Sequence, residues 1–486
     1  MSTDRTATAA GNAGTAFGWG LLCVLSGNML IDALEVSVAV VALPSIGADL
    51  GLSEAALGWI VGGFALGFGG LLLLAGRLVA LLGRRRVYLA ALLVFAVASL
   101  LGGLATSGAP LIATRVVKGV CAALTAPTGL AIIASAFPAG PARDKAVSVY
   151  SLFGAAGFSG GLVLSGLLTE VSWRWTFLFP APVALVLFLF GLRLIPGRTP
   201  AETAAAAADR APLSRRYDVP GAVTSVGALL ALAWALSRGP GAGWADPLTL
   251  TALLSAAALG GAFTYAERTA PRPLMRVRLL ADRPLTRSAA GAAALNGSYL
   301  GFLFVVTLDL QWGRDWSPLR TGLALLPASL PLALAAARSG RLVARHGAAR
   351  LIALGTWAPP AGYLWYLLAG DRPAYATATL PALLLVGLGF VLQFAALNAQ
   401  AMSAVPDADR GPAGGIYQTS VQLAGALTTV LVAALLGAGA ADGGGRRTAL
   451  VLVAVIGTAG LVVALTGLRP GRRAAPAAVP EGAEDR

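Results

Sequence analysis

The sequence predicts an all-α integral membrane protein with 14 transmembrane helices, and three observations carry that reading. The first is composition. Of 486 residues, 57% are hydrophobic and only 12% charged, with a mean hydropathy of +0.76; a soluble chain carries about twice that charged fraction. The second is segmentation into apolar runs of ~20 residues, the length that crosses a bilayer as a helix. Such aggregate apolarity favours helices over an outer-membrane barrel, whose alternating strands give a weaker signal. The third is the placement of basic residues. With the amino terminus inside, cytoplasmic segments hold 27 of the 36 Lys and Arg, outer loops hold 7, and Arg115 and Lys118 lie within a helix. That asymmetry orients the chain with both termini cytoplasmic. It also explains the net charge of +14 without nucleic acid as a partner.

In chain order, residues 1–16 are polar and small and form an amino-terminal tail. No short apolar region with a cleavage site precedes the first span, which is therefore an uncleaved helix. An amino-terminal six-helix bundle occupies 17–195, with spans at 17–43, 54–74, 86–106, 110–133, 146–168 and 175–195. Residues 196–217, Ala/Pro-rich with mixed charge, read as a flexible cytoplasmic linker. Two further helices, 218–237 and 247–266, make up the segment 218–266, and 267–286 is a cytoplasmic loop. The carboxy-terminal bundle, 287–468, has spans at 287–310, 321–343, 349–369, 375–401, 411–437 and 448–468. Its polar Pro/Ala-rich tail, 469–486, reads as disordered and cytoplasmic. Cys23 and Cys121 fall inside apolar runs and read as buried free thiols. The 34 Arg against 2 Lys, with abundant Ala, fit a GC-rich bacterial genome and a multi-pass protein of the cell membrane.

An internal repeat supports two related halves. Gly76-Arg-Leu-Val-Ala-Leu-Leu-Gly83-Arg84-Arg-Arg86 recurs as Gly340-Arg-Leu-Val-Ala-Arg-His-Gly347-Ala-Ala-Arg350. Each copy follows the second helix of a six-helix block on the cytoplasmic side. Halves related by an axis along the membrane normal are the architecture of a large transporter class.

The first span carries the chemistry. Asn28, Asp32 and Glu35 are four and three residues apart, so they share one helix face. A charge at the bilayer centre costs at least ~2.5–3.5 kcal/mol, so these carboxylates must face protein or a wet cavity. One polar face on an apolar helix fits a lining of a central aqueous pathway.

Several stretches together resemble the major facilitator superfamily, in particular its fourteen-helix drug:proton antiporter branch, over roughly 20–468. Leu34 to Pro44 looks like that branch's first-helix motif, with Glu35 where Asp is usual. Gly76–Arg86 looks like the cytoplasmic loop motif. Leu111-Ile-Ala-Thr-Arg115-Val-Val-Lys118-Gly119 is similar to the fourth-helix motif, with Lys118 where Gln is common. Gly157 to Gly166, followed by Ser172-Trp-Arg-Trp-Thr-Phe177, looks like the fifth-helix antiporter motif and its flank. Ser317-Pro-Leu-Arg-Thr-Gly322 and Tyr417-Gln-Thr-Ser-Val-Gln-Leu-Ala-Gly425 are also typical. The resemblance implies two six-helix bundles plus two extra central helices, working by alternating access, as a monomer. There are departures: the loop motif's acidic residue is Ala80, and Ala344 in the second copy, while the antiporter motif's Gly-Pro reads Gly161-Leu162.

Glu35 and Lys118 each lie about four residues outward of their helix midpoints, so at ~1.5 Å per residue both heads sit near one depth. The resemblance places both helices on the cavity. A Glu35–Lys118 pair is therefore expected, with Asp32 deeper and Arg115 nearer the outer mouth. Asp32 and Glu35 are the proton-coupling candidates and Arg115 and Lys118 their charge partners; the competing reading is a static ion pair fastening two helices. Asp309 is a candidate for the cavity or for a solvated outer-mouth charge. Asn28, Gln393, Asn398, Tyr417, Gln418 and Gln422 are candidates for substrate or cavity contacts, though polar groups also simply join helices in membranes. Gly157 and Gly161, with Gly154 and Gly160, form a small-residue stripe for close helix approach, and the resemblance makes that stripe the interface that opens and closes. The Arg84–Arg86 run reads first as a positive-inside anchor. His346 is the single histidine, in a cytoplasmic loop. No phosphate-binding loop, metal-ligand cluster or nucleophile–base pair occurs in the sequence, so no cofactor or metal is expected and an enzyme is disfavoured.

The expected function is proton-coupled export of a hydrophobic or amphipathic small molecule such as a drug, antibiotic or natural product. Aromatic side chains in both halves would supply its apolar surface. An uncoupled or import-direction transporter is the alternative raised by Ala80, Ala344 and Leu162; a membrane enzyme or receptor is the alternative from another class.

Overall fold

The computed structural model describes residues 3–197, 218–270, 274–336, 338–370, 374–439 and 444–467, with side chains from Gly18 onward in the first helix. Most of the linker expected at 196–217 and all of the tail expected at 469–486 lie outside these residues. The amino-terminal half comprises α1 (Thr3–Leu50), α2 (Glu54–Leu82), α3 (Arg84–Gly103), α4 (Gly108–Ala136), α5 (Pro141–Val171), α6 (Arg174–Leu178) and α7 (Pro180–Leu194). The extra pair is α8 (Val219–Ala242) and α9 (Pro247–Thr269). The carboxy-terminal half comprises α10 (Arg283–Gln311), α11 (Pro318–Ala324), α12 (Leu326–Ala336), α13 (Ser339–His346), α14 (Ala348–Gly355), α15 (Ala358–Leu368), α16 (Leu380–Met402), α17 (Arg410–Ala438) and α18 (Gly445–Gly467). The backbone of the polar segment 1–16 is helical from Thr3 and runs straight into α1.

Among the described residues, twelve helices are long and apolar enough to cross a membrane unbroken. The other two expected spans are interrupted, for a reason written in proline. Span 321–343 bends by 53° between α11 and α12, just before Pro327. Span 349–369 breaks at Thr356–Trp357, before Pro359 and Pro360. Proline has no N–H to return to the carbonyl four residues back, so Leu323 O, Gly355 O and Thr356 O each lose their helical donor.

The repeated loop motif has one conformation in both copies. Gly83 ends α2 at φ 90, ψ 139 and donates to Val79 O, while Gly347 ends α13 at φ 79, ψ 142 and donates to Val343 O. Positive φ is where glycine is needed, so the motif's second glycine is a helix stop in each half.

Small residues set the packing. The α5 stripe lies on α1: a Cβ at Gly157 would come 2.4 Å from Leu30 O, and one at Gly161 2.2 Å from Ser37 Oγ. At Gly119, on α4, a Cβ would meet Phe64 O of α2 at 2.0 Å. The halves meet where α5 touches α11 and α12, α2 touches α17, and α1 touches α10. Much of this contact is at the end where α1 terminates, hereafter the far end. There Gln311 donates to Val41 O (2.8 Å), and the Leu319 N–H donates to Glu170 (3.1 Å). A Cβ at Gly322 would lie 2.3 Å from Leu162 O. The glycine stripe at Gly157 and Gly161 thus packs within one half, and the contact between halves falls on Leu162 to Gly166 instead. The extra pair sits outside this seam, with α8 against both α2 and α17 and Trp59 donating to Ser237 (3.0 Å).

Candidate functional site

Helix α1 presents Asn28, Asp32 and Glu35 on one face, and α4 presents Arg115, Lys118 and Thr125 opposite. Three and ten residues separate Arg115 from Lys118 and Thr125, so these too share a face. The glycines on α5 and α4 let α1, α2 and α4 close around them.

Glu35 is completely buried and holds two cations. Arg115 NH1 lies 2.5 Å from its Oε2 and Lys118 Nζ 2.5 Å from its Oε1, with all three side chains fully buried. Arg115 also spends its NH2 on Glu35 O (2.9 Å) and its Nε on Ile60 O (2.9 Å), which ties α4 to both α1 and α2. The Phe64 ring lies 4.9 Å from the guanidinium, and Phe95 and Phe177 lie 5.1 and 5.3 Å from the ammonium. Desolvated cation–π contacts contribute about 2 kcal/mol each, partly offsetting the cost of burying charge. Arg115, expected nearer the mouth, is instead bound to the same carboxylate as Lys118. Its long side chain spans the ~4.5 Å that three residues of helical rise put between the two.

Asp32 is one turn away, 4% exposed, and differently served. Asn28 Nδ2 donates to Oδ2 at 2.9 Å and Thr125 Oγ1 to the same oxygen at 2.8 Å. Both partners are neutral. With both carboxylates ionised, Asp32, Glu35, Arg115 and Lys118 sum to zero; protonating Asp32 leaves the group at +1.

The other candidates scatter. Asp309 is neither free in a cavity nor merely solvated: Arg446 Nε reaches its Oδ2 at 2.8 Å and Tyr366 donates to it at 2.7 Å. Gln393 points into its own half, donating to Gly355 O (3.0 Å) and Gly389 O (3.1 Å). Asn398 is exposed and Gln418 half-buried. Tyr417 is buried and reaches Phe394 O at 3.5 Å. Gln422 is buried against Gly69 of α2, in the seam between halves. Gly76 and Gly340 have open space where a Cβ would be, and Arg84 donates to Ala131 O of α4 (3.3 Å). His346 is exposed. Cys121 is buried, but Cys23, expected buried, is exposed on the outer face of α1. No metal-ligand group of three occurs among the described residues.

Sequence reasoning missed Thr125, whose signal was its placement seven residues after Lys118. It also missed an aromatic ladder at the seam, where Phe158 of α5 meets Tyr299 of α10 (5.8 Å). The ladder continues from Tyr299 to Phe390 (4.7 Å) and from Phe390 to Phe394 (5.0 Å).

Comparison with known proteins gives a consistent picture. The family model described as Major Facilitator Superfamily matches residues 25–429. The chain is 35% identical over 85% of its length, and 80% of the relative's, to a puromycin resistance protein of Streptomyces alboniger. It is 31% identical over 92% of its length, and 91% of the relative's, to a cephamycin export protein of Amycolatopsis lactamdurans. A D-xylose-proton symporter of known structure superposes with a TM-score of 0.63 at 15% identity, covering 93% of this chain and 96% of that one.

Proposed function

The chain belongs to the major facilitator superfamily and is a multi-pass membrane transporter rather than an enzyme; from that premise we propose that it exports amphipathic small molecules in exchange for protons. The end where the chain begins faces the cytoplasm, as the basic residues require. The far end faces outward and is closed in this state, so substrate enters from the cytoplasmic side and the far-end contacts part to release it. Drug and antibiotic export is supported by the names of the relatives, and the aromatic ladder offers apolar surface where the halves meet. The chain works as a monomer in the bacterial cell membrane.

The observation that carries proton coupling is the contrast between two carboxylates one turn apart. A proton on Glu35 would displace two cations and leave them buried side by side, which is costly. A proton on Asp32 breaks no ion pair, because its donors are neutral and both bond to Oδ2. Asp32 therefore exchanges the proton while Glu35 stays paired and balances charge.

The test uses purified protein in liposomes with a pH-sensitive dye inside and puromycin or a cephamycin outside. Drug-dependent proton movement, abolished in Asp32→Asn, is the expected result. Drug flux without proton movement would mark an uncoupled facilitator and overturn the proposal.

A further inference from the structure

The loop motif occurs twice, and its arginines are spent differently in the two copies. In the first, Arg84 donates to Ala131 O (3.3 Å) and Arg85 to Leu192 O (2.5 Å), which ties α3 to α4 and α7. In and around the second, Arg338, Arg341, Arg345 and Arg350 are all exposed. None of these four guanidiniums makes a hydrogen bond or ion pair among the described residues. Arg338, Arg341 and Arg345 are three and four residues apart and share one helix face, while Leu342 and Val343 of α13 pack against the core. No acid balances the patch. The chain holds no Asp or Glu between Asp315 and Asp371, and α16, which packs on α13, carries no charged residue. Lipid-facing surface adjoins it. Leu334 of α12, four residues before Arg338, and Leu354 of α14, four residues after Arg350, are 66% and 70% exposed.

We propose that this second copy is a binding site for an anionic phospholipid: the guanidiniums hold its phosphodiester and its acyl chains lie along the apolar surface of α12 and α14. A guanidinium fork matches two phosphate oxygens. Each basic side chain near a membrane surface strengthens the hold on anionic lipid by about fivefold. The adjoining leucines favour a lipid over a soluble phosphate, which would have no use for them. Orientation by positive charge accounts for the side on which these arginines lie, but the first copy lies on that side too and spends its forks on protein carbonyls. The site depends neither on the exported compound nor on proton coupling.

The test places full-length protein in nanodiscs of mixed phosphatidylglycerol and phosphatidylcholine, extracts it in detergent, and counts the retained lipids by native mass spectrometry. Wild type should keep phosphatidylglycerol in preference to phosphatidylcholine. The double variant Arg341→Gln/Arg345→Gln should lose that preference by roughly 25-fold, the product of two such contributions, with an unchanged unfolding temperature because both side chains are exposed. Arg86→Gln, an exposed arginine of the first copy, should keep it. Equal retention by wild type and the double variant, or an equal loss in Arg86→Gln, would overturn the proposal. Displacement of phosphatidylglycerol by an equal concentration of glycerol phosphate would assign the patch to a soluble anion and overturn it as well.

Discussion

The two halves repeat one architecture but put their buried polar groups to different uses. The amino-terminal half places two acids and two bases at mid-membrane between α1 and α4, fully or almost fully sealed. In the carboxy-terminal half polar side chains bond backbone carbonyls at and beside the breaks that proline makes. Gln393 donates to Gly355 O, whose helical donor position is Pro359. Tyr375 donates to Ala324 O (3.0 Å) and Tyr299 to Ala328 O (3.3 Å), flanking the bend before Pro327. The Asp309–Arg446–Tyr366 group ties α10, α15 and α18 together at the far end. A polar residue inside a membrane bundle is therefore no pointer to chemistry by itself; its partners decide. Cations facing carboxylates carry a charge balance that one proton can alter, whereas amides and phenols facing backbone carbonyls hold shape.

That contrast can be broken at three strengths. The largest effect belongs to Glu35→Gln, which leaves Arg115 and Lys118 buried without their anion; removing one partner of a buried pair costs about 3–5 kcal/mol. A sharply lowered unfolding temperature in detergent is expected, and an unchanged one would mean the ion pairs do not hold α1 to α4. In the other half, Gln393→Leu should cost about 1–3 kcal/mol by stranding the Gly355 carbonyl, with drug-driven proton movement intact. Lost coupling with stability unchanged would give Gln393 the functional role that its geometry denies. The smallest effect is expected at the loop joining α8 and α9. There Arg238 pairs with Asp246 at 2.9 Å, and that bond, with the Thr249 N–H, pulls Asp246 down to about 2. A depressed carboxylate stabilises above its unfolded value near 4 and loses that contribution as pH falls through about 2. Across the range where transport is assayed the pair is constant, so Arg238→Gln should leave the pH profile of transport unmoved. A shifted profile would show the extra helices to be coupled to the proton site.

Much of this was legible in the sequence because lipid is an unforgiving solvent. Apolar length marked the spans, and Asp32 and Glu35 stood out because a membrane helix carries such groups only for a reason. Counting helical rise from each midpoint was enough to bring Glu35 and Lys118 to one depth. Arg115 escaped that count because a long side chain shifts its head by a turn while its Cα stays put. Gln393 and Asp309 escaped for another reason. What they touch belongs to other helices, across 38 residues to Gly355 and 137 to Arg446, and no spacing within one helix reports that. Proline was visible in α11 to α15, but which side chain would supply the missing donor depended on the packing. Cys23 looked buried because an apolar run does not say which residues face lipid.

The most direct test of the central claim compares wild type with Asp32→Asn in liposomes under an imposed pH gradient, following puromycin and internal pH together. The account predicts that wild type exchanges drug for protons and accumulates puromycin against its gradient. Asp32→Asn should still equilibrate puromycin downhill while moving no protons with it. An Asp32→Asn protein that continues to exchange puromycin for protons at the wild-type ratio would contradict it.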